Sequence, residues 1–284
     1  MNKTKTPILT TGLNGLVGQR ISELLSAEYL FNNLSQEKGF DITNKETIEA
    51  KFKQGREKWV WHLAAATDVD LCEKETDWAY KTNVTGTQNI VDLCIKYKKK
   101  LLFVSTDFVF SGKNKIYSEK DTPDPINVYG KTKYEAEKLV KKMGKNGLIV
   151  RISFPYCATN PLKKDFFHVI LEKLRKKERV MAVGNVWFTP TYIDDISKAF
   201  SFLTKKEATG IYHATGSSSH TPLEASLLIA ERFGLNKSLI LPCSRSDFYQ
   251  NRAPRPCYLR ISNDKIKKSG IIMRSFPGVL AELK

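Results

Sequence analysis

Short apolar runs alternate with amphipathic stretches through the first half of the chain. Pro7 to Thr11 is an apolar run, and Leu16 to Ala27 repeats its apolar positions with the period of a helix. The pair recurs. Tyr29 to Leu34 reads as a second strand, and Lys45 to Lys53 as a helix that Thr43 or Asn44 can cap. Trp59 to Leu63 is a third strand, followed by one long helix from Trp78 to Tyr97. Leu101 to Ser105 is a fourth strand, Tyr129 to Met143 a helix, and Leu148 to Ile152 a fifth strand. This βαβαβαβαβ order predicts an α/β fold with a doubly wound parallel sheet, Rossmann-like in layout.

The alternation loosens after Phe154-Pro155-Tyr156. Helices are expected at Phe166 to Lys177, Ile196 to Leu203 (capped by Asp194-Asp195) and Leu223 to Phe233, with a strand at Ile211 to Ala214. The expected organisation is a first domain at 1–155, to which 187–215 return, and a smaller C-terminal lobe from 156–186 and 216–284.

Candidate chemistry gathers at the strand ends. Gly12, Gly15 and Gly18 follow the first strand and open the first helix. Gly12 permits the turn, Gly15 lets a pyrophosphate approach the helix amides, and Gly18 lets helix and strand pack closely. The residue that reads a dinucleotide's ribose is expected after the second strand, where Ser35-Gln36-Glu37-Lys38 favours neither NAD nor NADP. Ala64-Ala65-Ala66 ends the third strand with side chains small enough for a cofactor to pass. His62, inside that strand, reads as a packed core histidine.

Ser105-Thr106 ends the fourth strand, and Tyr129 precedes Lys133 by one helical turn. With 11 Tyr and 35 Lys in 284 residues, such a spacing is expected about 1.4 times by chance. It occurs twice, as Tyr129/Lys133 and Tyr134/Lys138, and the two pairs point about 140° apart on one helix. Tyr129 opens the helix after a long loop, where it can reach the carboxyl edge of the sheet. There an ammonium one turn away would lower the phenol pKa from its ordinary value near 10. Tyr129 could then pass a proton to a carbonyl oxygen, with Thr106 bonded to the same atom.

Composition narrows the setting. The formal charge is +16, but the basic runs are scattered and carry no interleaved aromatics, so a lysine-rich solvated surface is favoured over nucleic-acid binding. Such a surface can still concentrate an anionic substrate. The five cysteines form no CxxC pair, which points to neither a disulfide framework nor a metal site. Without a secretory or membrane-length apolar run, a cytoplasmic protein that does not engage membranes is expected.

These motifs resemble the extended short-chain dehydrogenase/reductase superfamily, and within it the RmlD-like sugar-nucleotide reductases that make dTDP-L-rhamnose. The resemblance rests on Thr11 to Gly18, Ala64 to Asp70, Asn83 to Thr87, Ser105 to Gly112, Pro125 to Lys133, Thr189 to Tyr192 and Arg255-Pro256. It implies NADPH- or NADH-dependent reduction of a nucleotide-linked 4-keto-deoxysugar. Thr106, Tyr129 and Lys133 take the catalytic roles. Gly12, Asn14, Gly15, Leu16, Val17, Asp41, Ile42, Ala64, Ala65, Ala66, Asn83 and Ser105 line the cofactor site, joined by Tyr129 and Lys133. Thr67, Val69, Asp107, Phe108, Val109, Phe154 and Arg255 face the sugar nucleotide. Phe154 stands where these reductases often have Trp, and Phe108 where Tyr is usual. Phe108 after Asp107, in place of the Glu of dehydratase relatives, argues against dehydration. A homodimer is compatible with the resemblance. Two other readings stay open: another nucleotide-sugar reductase or epimerase, and a non-catalytic regulatory subunit like the beta subunit of methionine adenosyltransferase.

Overall fold

The computed structural model describes residues 4–159 and 163–283. The first half runs β1 (Thr6–Thr11), α1 (Leu16–Leu25), β2 (Tyr29–Leu34), α2 (Lys45–Gln54), β3 (Trp59–His62), α3 (Val69–Lys74), α4 (Thr76–Tyr80), α5 (Gly86–Lys96), β4 (Lys100–Thr106), α6 (Val128–Lys141) and β5 (Gly147–Ile152). The second half adds β6 (Pro155–Tyr156), α7 (Phe166–Arg175), β7 (Val180–Val183), β8 (Thr191–Tyr192), α8 (Ile193–Lys205), β9 (Gly210–His213), α9 (Pro222–Arg232) and β10 (Ile240–Cys243). It closes with α10 (Arg245–Phe248), α11 (Asp264–Lys268) and α12 (Phe276–Glu282).

The central sheet has the order β2-β1-β3-β4-β5-β9, with every pair parallel. Alternate residues on each strand feed two cores, as the pleat requires. Ile8, Trp61, Leu102 and Val150 pack with Ile21 of α1 and Phe200 of α8 on one face. Leu9, Val60, Leu101 and Ile149 pack with Ile48 of α2, Ile90 of α5 and Val140 of α6 on the other. The strand order turns around between β1 and β3, where ligands of such sheets bind beyond the carboxyl ends.

The second half supplies a smaller lobe with its own aromatic core, including Tyr156, Phe167, Phe188 and Phe276. The β7–β10 and β6–β8 pairs belong to this region. β9 joins the main sheet beside β5, and α8 packs on α1. Ile266 of α11 and Met273 also reach the main core. The long loop after β4 is anchored on this half, because Tyr117 N–H donates to the Arg260 carbonyl and Tyr258 N–H to that of Gly112.

Two local expectations are corrected. The helix expected at Trp78 to Tyr97 is divided by a π turn at Lys81–Thr85, which carries the buried Asn83. Such a turn inserts an extra residue and re-aims the side chains it holds. Asp194 and Asp195 do not cap α8. Asp194 pairs with Arg20 of α1 (2.8 Å) and Asp195 with Arg274 (2.7 Å), so both tie α8 to neighbouring segments.

Candidate active site

The carboxyl ends of β1 to β5 open into one cleft of about 820 Å³. Gly12 sits at φ +77°, and a Cβ there would lie 2.4 Å from the Ala64 nitrogen, so β1 and β3 meet at a point only glycine allows. A Cβ on Gly18 would strike Leu13 Cα at 2.5 Å, which is the close helix packing expected of it. A Cβ on Gly15 would meet only the Gly12 carbonyl, at 3.3 Å, and no side chain caps α1. The first-turn amides of α1 are therefore left for an anion, the arrangement a dinucleotide pyrophosphate needs. Asn14, Leu16, Val17, Asp41, Ile42 and Ala64 to Ala66 line the same part of the cleft.

Ser105 lines the cleft, and its Oγ donates to buried Glu137 at 2.7 Å. Next to it, Thr106 Oγ1 accepts from Phe108 N–H and donates to Asp107 Oδ1, both at 3.2 Å. Asp107 is buried and also accepts from Ser153 Oγ at 2.6 Å. Burial pushes its carboxyl up to about 7, against the lowering effect of the Ser153 and Thr106 bonds. The folded chain therefore binds more protons than the unfolded one between about pH 4 and about pH 7, and this group's contribution to stability falls as pH rises through that window. Asp107→Asn removes the loss. Thermal unfolding at pH 5 and pH 8 should show the variant gaining roughly 2–4 kcal/mol on the native chain at the higher pH. Equal differences at both pH values would refute this.

Tyr129 sits at the start of α6, which Asn127 caps by accepting from Gly130 N–H. Its ring meets Phe108 edge-on, with centroids 5.7 Å apart. Burial pushes its phenol above the ordinary range; Thr106 opposes the shift and Asp107 adds to it. The expected lowering by Lys133 does not occur. Lys133 Nζ donates to the Val104 carbonyl at 2.7 Å and lies 4.1 Å from the Phe103 ring centroid. Burial brings its ammonium down to about 7, with Glu137 opposing. A base whose folded pKa is depressed adds stability as pH rises, here from about 7 toward its unfolded value near 10. The competing pair is elsewhere: Lys138 is exposed, paired with Glu135 and lying over the Tyr134 ring.

Phe154, Phe188 and Arg255 line the cleft as well. Phe154 holds φ +39°, a strained setting for an aromatic residue, and its ring packs 4.7 Å from Phe188 and 6.0 Å from Phe108. Arg255 reaches across to Asp70 of α3 at 2.9 Å, and Thr67 and Val69 line the cleft nearby.

The family model for the RmlD substrate binding domain matches residues 6–283. The chain belongs to this family. SpsK, a spore coat polysaccharide biosynthesis protein of Bacillus subtilis, is 30% identical over 98% of this chain and 96% of its own. A dTDP-4-dehydrorhamnose reductase of Aggregatibacter actinomycetemcomitans is 30% identical over 74% of this chain and 73% of its own. Methionine adenosyltransferase 2 subunit beta of Mus musculus is 25% identical over 94% and 84%. Among solved structures, dTDP-4-dehydrorhamnose reductase of Bacillus anthracis in complex with NADP superposes with a TM-score of 0.91, at 29% identity over 99% of each chain.

Within this RmlD-family chain, two expected site residues lie behind the cleft wall. Asn83 is buried; it accepts from Ala66 N–H (2.8 Å) and donates to the Ala66 carbonyl (3.1 Å) and Thr132 Oγ1 (2.9 Å). It shapes the alanine turn and does not line the cleft. Asn83→Ala should cost roughly 1–3 kcal/mol of stability, since the Ala66 N–H loses its partner and the Ala66 carbonyl keeps only the weak Cys72 thiol donor at 3.6 Å. Chemical denaturation checks this. Val109 is fully buried in the cluster of Phe110, Tyr117 and Leu259, because the short helical turn at 107–109 rotates it inward. Sequence reasoning passed over Trp187, Phe188 and Tyr249, which do line the cleft. The signal for Trp187 and Phe188 is that they form an aromatic pair just before Thr189-Pro190-Thr191; Tyr249 carries none.

His62 is a core residue, as expected. It bonds Thr11 (2.6 Å) and Thr87 (3.1 Å), and burial lowers it to about 3. Cys157, Asp165 and His168 bring three donor atoms together. Asp165 is the cap of α7, accepting from His168 N–H and Cys157 N–H, and burial drives the Cys157 thiol up to about 12. That set reads as a hydrogen-bonded helix cap. Among the described residues, no helix is long and apolar enough to cross a membrane.

Proposed function

We propose that this chain reduces the keto group of a nucleotide-linked 4-keto-deoxysugar, with dTDP-4-dehydro-L-rhamnose to dTDP-L-rhamnose as the leading reaction. The observation that carries the proposal is one cleft that holds the uncapped glycine turn of α1 together with Thr106, Tyr129 and Lys133. The reductase names of two relatives support a sugar-nucleotide substrate.

NADH or NADPH bound along the glycine turn would supply the hydride. Tyr129 supplies the proton: its raised pKa keeps the phenol protonated at neutral pH, as an acid must be. Thr106 releases Asp107 to bond the carbonyl oxygen as charge builds on it. Lys133 holds the ribose on the nicotinamide side. Arg255 is suited to the substrate diphosphate through paired N–H contacts.

The match to methionine adenosyltransferase beta subunits supports a second reading, a regulatory subunit. Dinucleotide oxidation, followed by absorbance with a panel of nucleotide 4-ketosugars, separates the two. Turnover with at least one ketosugar is expected. Inertness on the whole panel, with a stoichiometric enzyme partner recovered, would favour the regulatory reading. Product identification separates a reductase from an epimerase.

A further inference from the structure

The ribose end of the cleft carries the charge that the linear sequence left ambiguous. Asn14, on the glycine turn, accepts from Asn33 Nδ2 at 3.1 Å and donates through Nδ2 to Glu37 Oε2 at 2.7 Å. This chain of bonds fixes the Glu37 carboxylate beside the turn. Ser35 lines the same end, and its buried Oγ has no partner among the described residues. A buried hydroxyl of this kind is costly unless a ligand supplies its bond.

The cations lie elsewhere. Among the described residues, the Lys and Arg side chains that line the cleft are Lys133, Lys163 and Arg255, none of them in the segment between β2 and α2. Lys38, next to Glu37, is exposed and does not line the cleft.

We infer that Glu37 makes the cleft select NADH over NADPH. The inference deepens the reductase reading and rests on it. A ribose 2′,3′-diol offers two O–H donors, which a fixed carboxylate and a free serine hydroxyl can meet. A 2′-phosphate offers only acceptors and nearly two negative charges. Set beside Glu37 it is repelled, and Lys38, the basic side chain of this segment, does not line the cleft to offset that. The discrimination follows from the third residue after the β2 end, brought back to the glycine turn by Asn14.

The test is a fluorescence titration of the full chain with NADH and with NADPH, without sugar substrate. The native protein should bind NADH at least about ten-fold more tightly, the scale of one charge-assisted hydrogen bond. Glu37→Gln should shrink that preference. Glu37→Lys should reverse it, and its NADPH affinity should fall as salt rises, as an exposed charge contact does. Native binding of NADPH as tight as that of NADH, or an unchanged ratio in Glu37→Lys, would overturn the assignment while leaving the reductase proposal standing. Failure to bind either dinucleotide would overturn both.

Discussion

Tyr129→Phe is expected to lower ketone reduction by about 10²–10⁴-fold, the range of a lost general acid, with a much smaller change in dinucleotide affinity. The Phe ring can keep the edge contact with Phe108, so the wall of the cleft survives. Only the hydroxyl goes, and with it the proton donor that the proposed reduction assigns next to Thr106. A fall in kcat at near-constant dinucleotide Kd marks an interaction made in the transition state. Steady-state rates with the reacting ketosugar, alongside a binding titration, measure both. Undiminished turnover would remove Tyr129 from the chemistry and sink the mechanism.

The second large effect concerns the floor beneath that chemistry. Glu137 of α6 is fully buried and accepts two bonds from Arg151 of β5, from Nε and Nη2, each at 2.7 Å, and one from Ser105. Arg151 is equally buried, lies 5.0 Å from the Phe110 ring centroid and reaches His213 Nε2 at 3.3 Å. Glu137→Ala leaves the guanidinium in the core without its counter-charge, which should cost roughly 3–5 kcal/mol. Chemical denaturation reads the loss directly. Replacing both partners, as Glu137→Leu with Arg151→Met, should recover most of it, because two apolar side chains of similar volume need no solvation. Glu137 also holds the Lys133 pKa up, so its loss should drive that ammonium lower still. A single variant that costs less than about 1 kcal/mol would show that the pair adds little to stability.

Much of this was legible in the order of residues. Short apolar runs located the five main strands, because a parallel sheet is covered on both faces, and period-3.6 patterns located the helices α1, α2 and α6, because each buries one face. Gly12 and Gly18 were readable because a turn and a close helix approach exclude a Cβ, a constraint written at single positions. The glycine motif, Thr106 and the Tyr129/Lys133 spacing pointed to one edge of one sheet. Other features depended on what each residue meets across the fold. Tyr134/Lys138 has the same spacing as the pair in the cleft, and only packing turns it elsewhere, with Tyr134 half-buried against the Phe108 cluster and Lys138 exposed. Asn83 and Val109 sit in motifs of the right composition, yet a π turn and a short helical turn take them out of the cleft. Asp194 and Asp195 had the look of caps until Arg20 and Arg274 claimed them.

The chain alone therefore determined the fold class, the parallel winding and the cluster of chemistry at the strand ends, because those follow from local periods and from residues whose size or spacing is itself the constraint. The tertiary structure decided which face each side chain shows and which charge stands next to which. Asp107 and Lys133 take their shifted pKa values from burial, Glu137 its worth from Arg151, and Glu37 its place beside the glycine turn from Asn14, 23 residues away in sequence. Burial and charge pairing are properties of neighbours in space, and no window of sequence contains them.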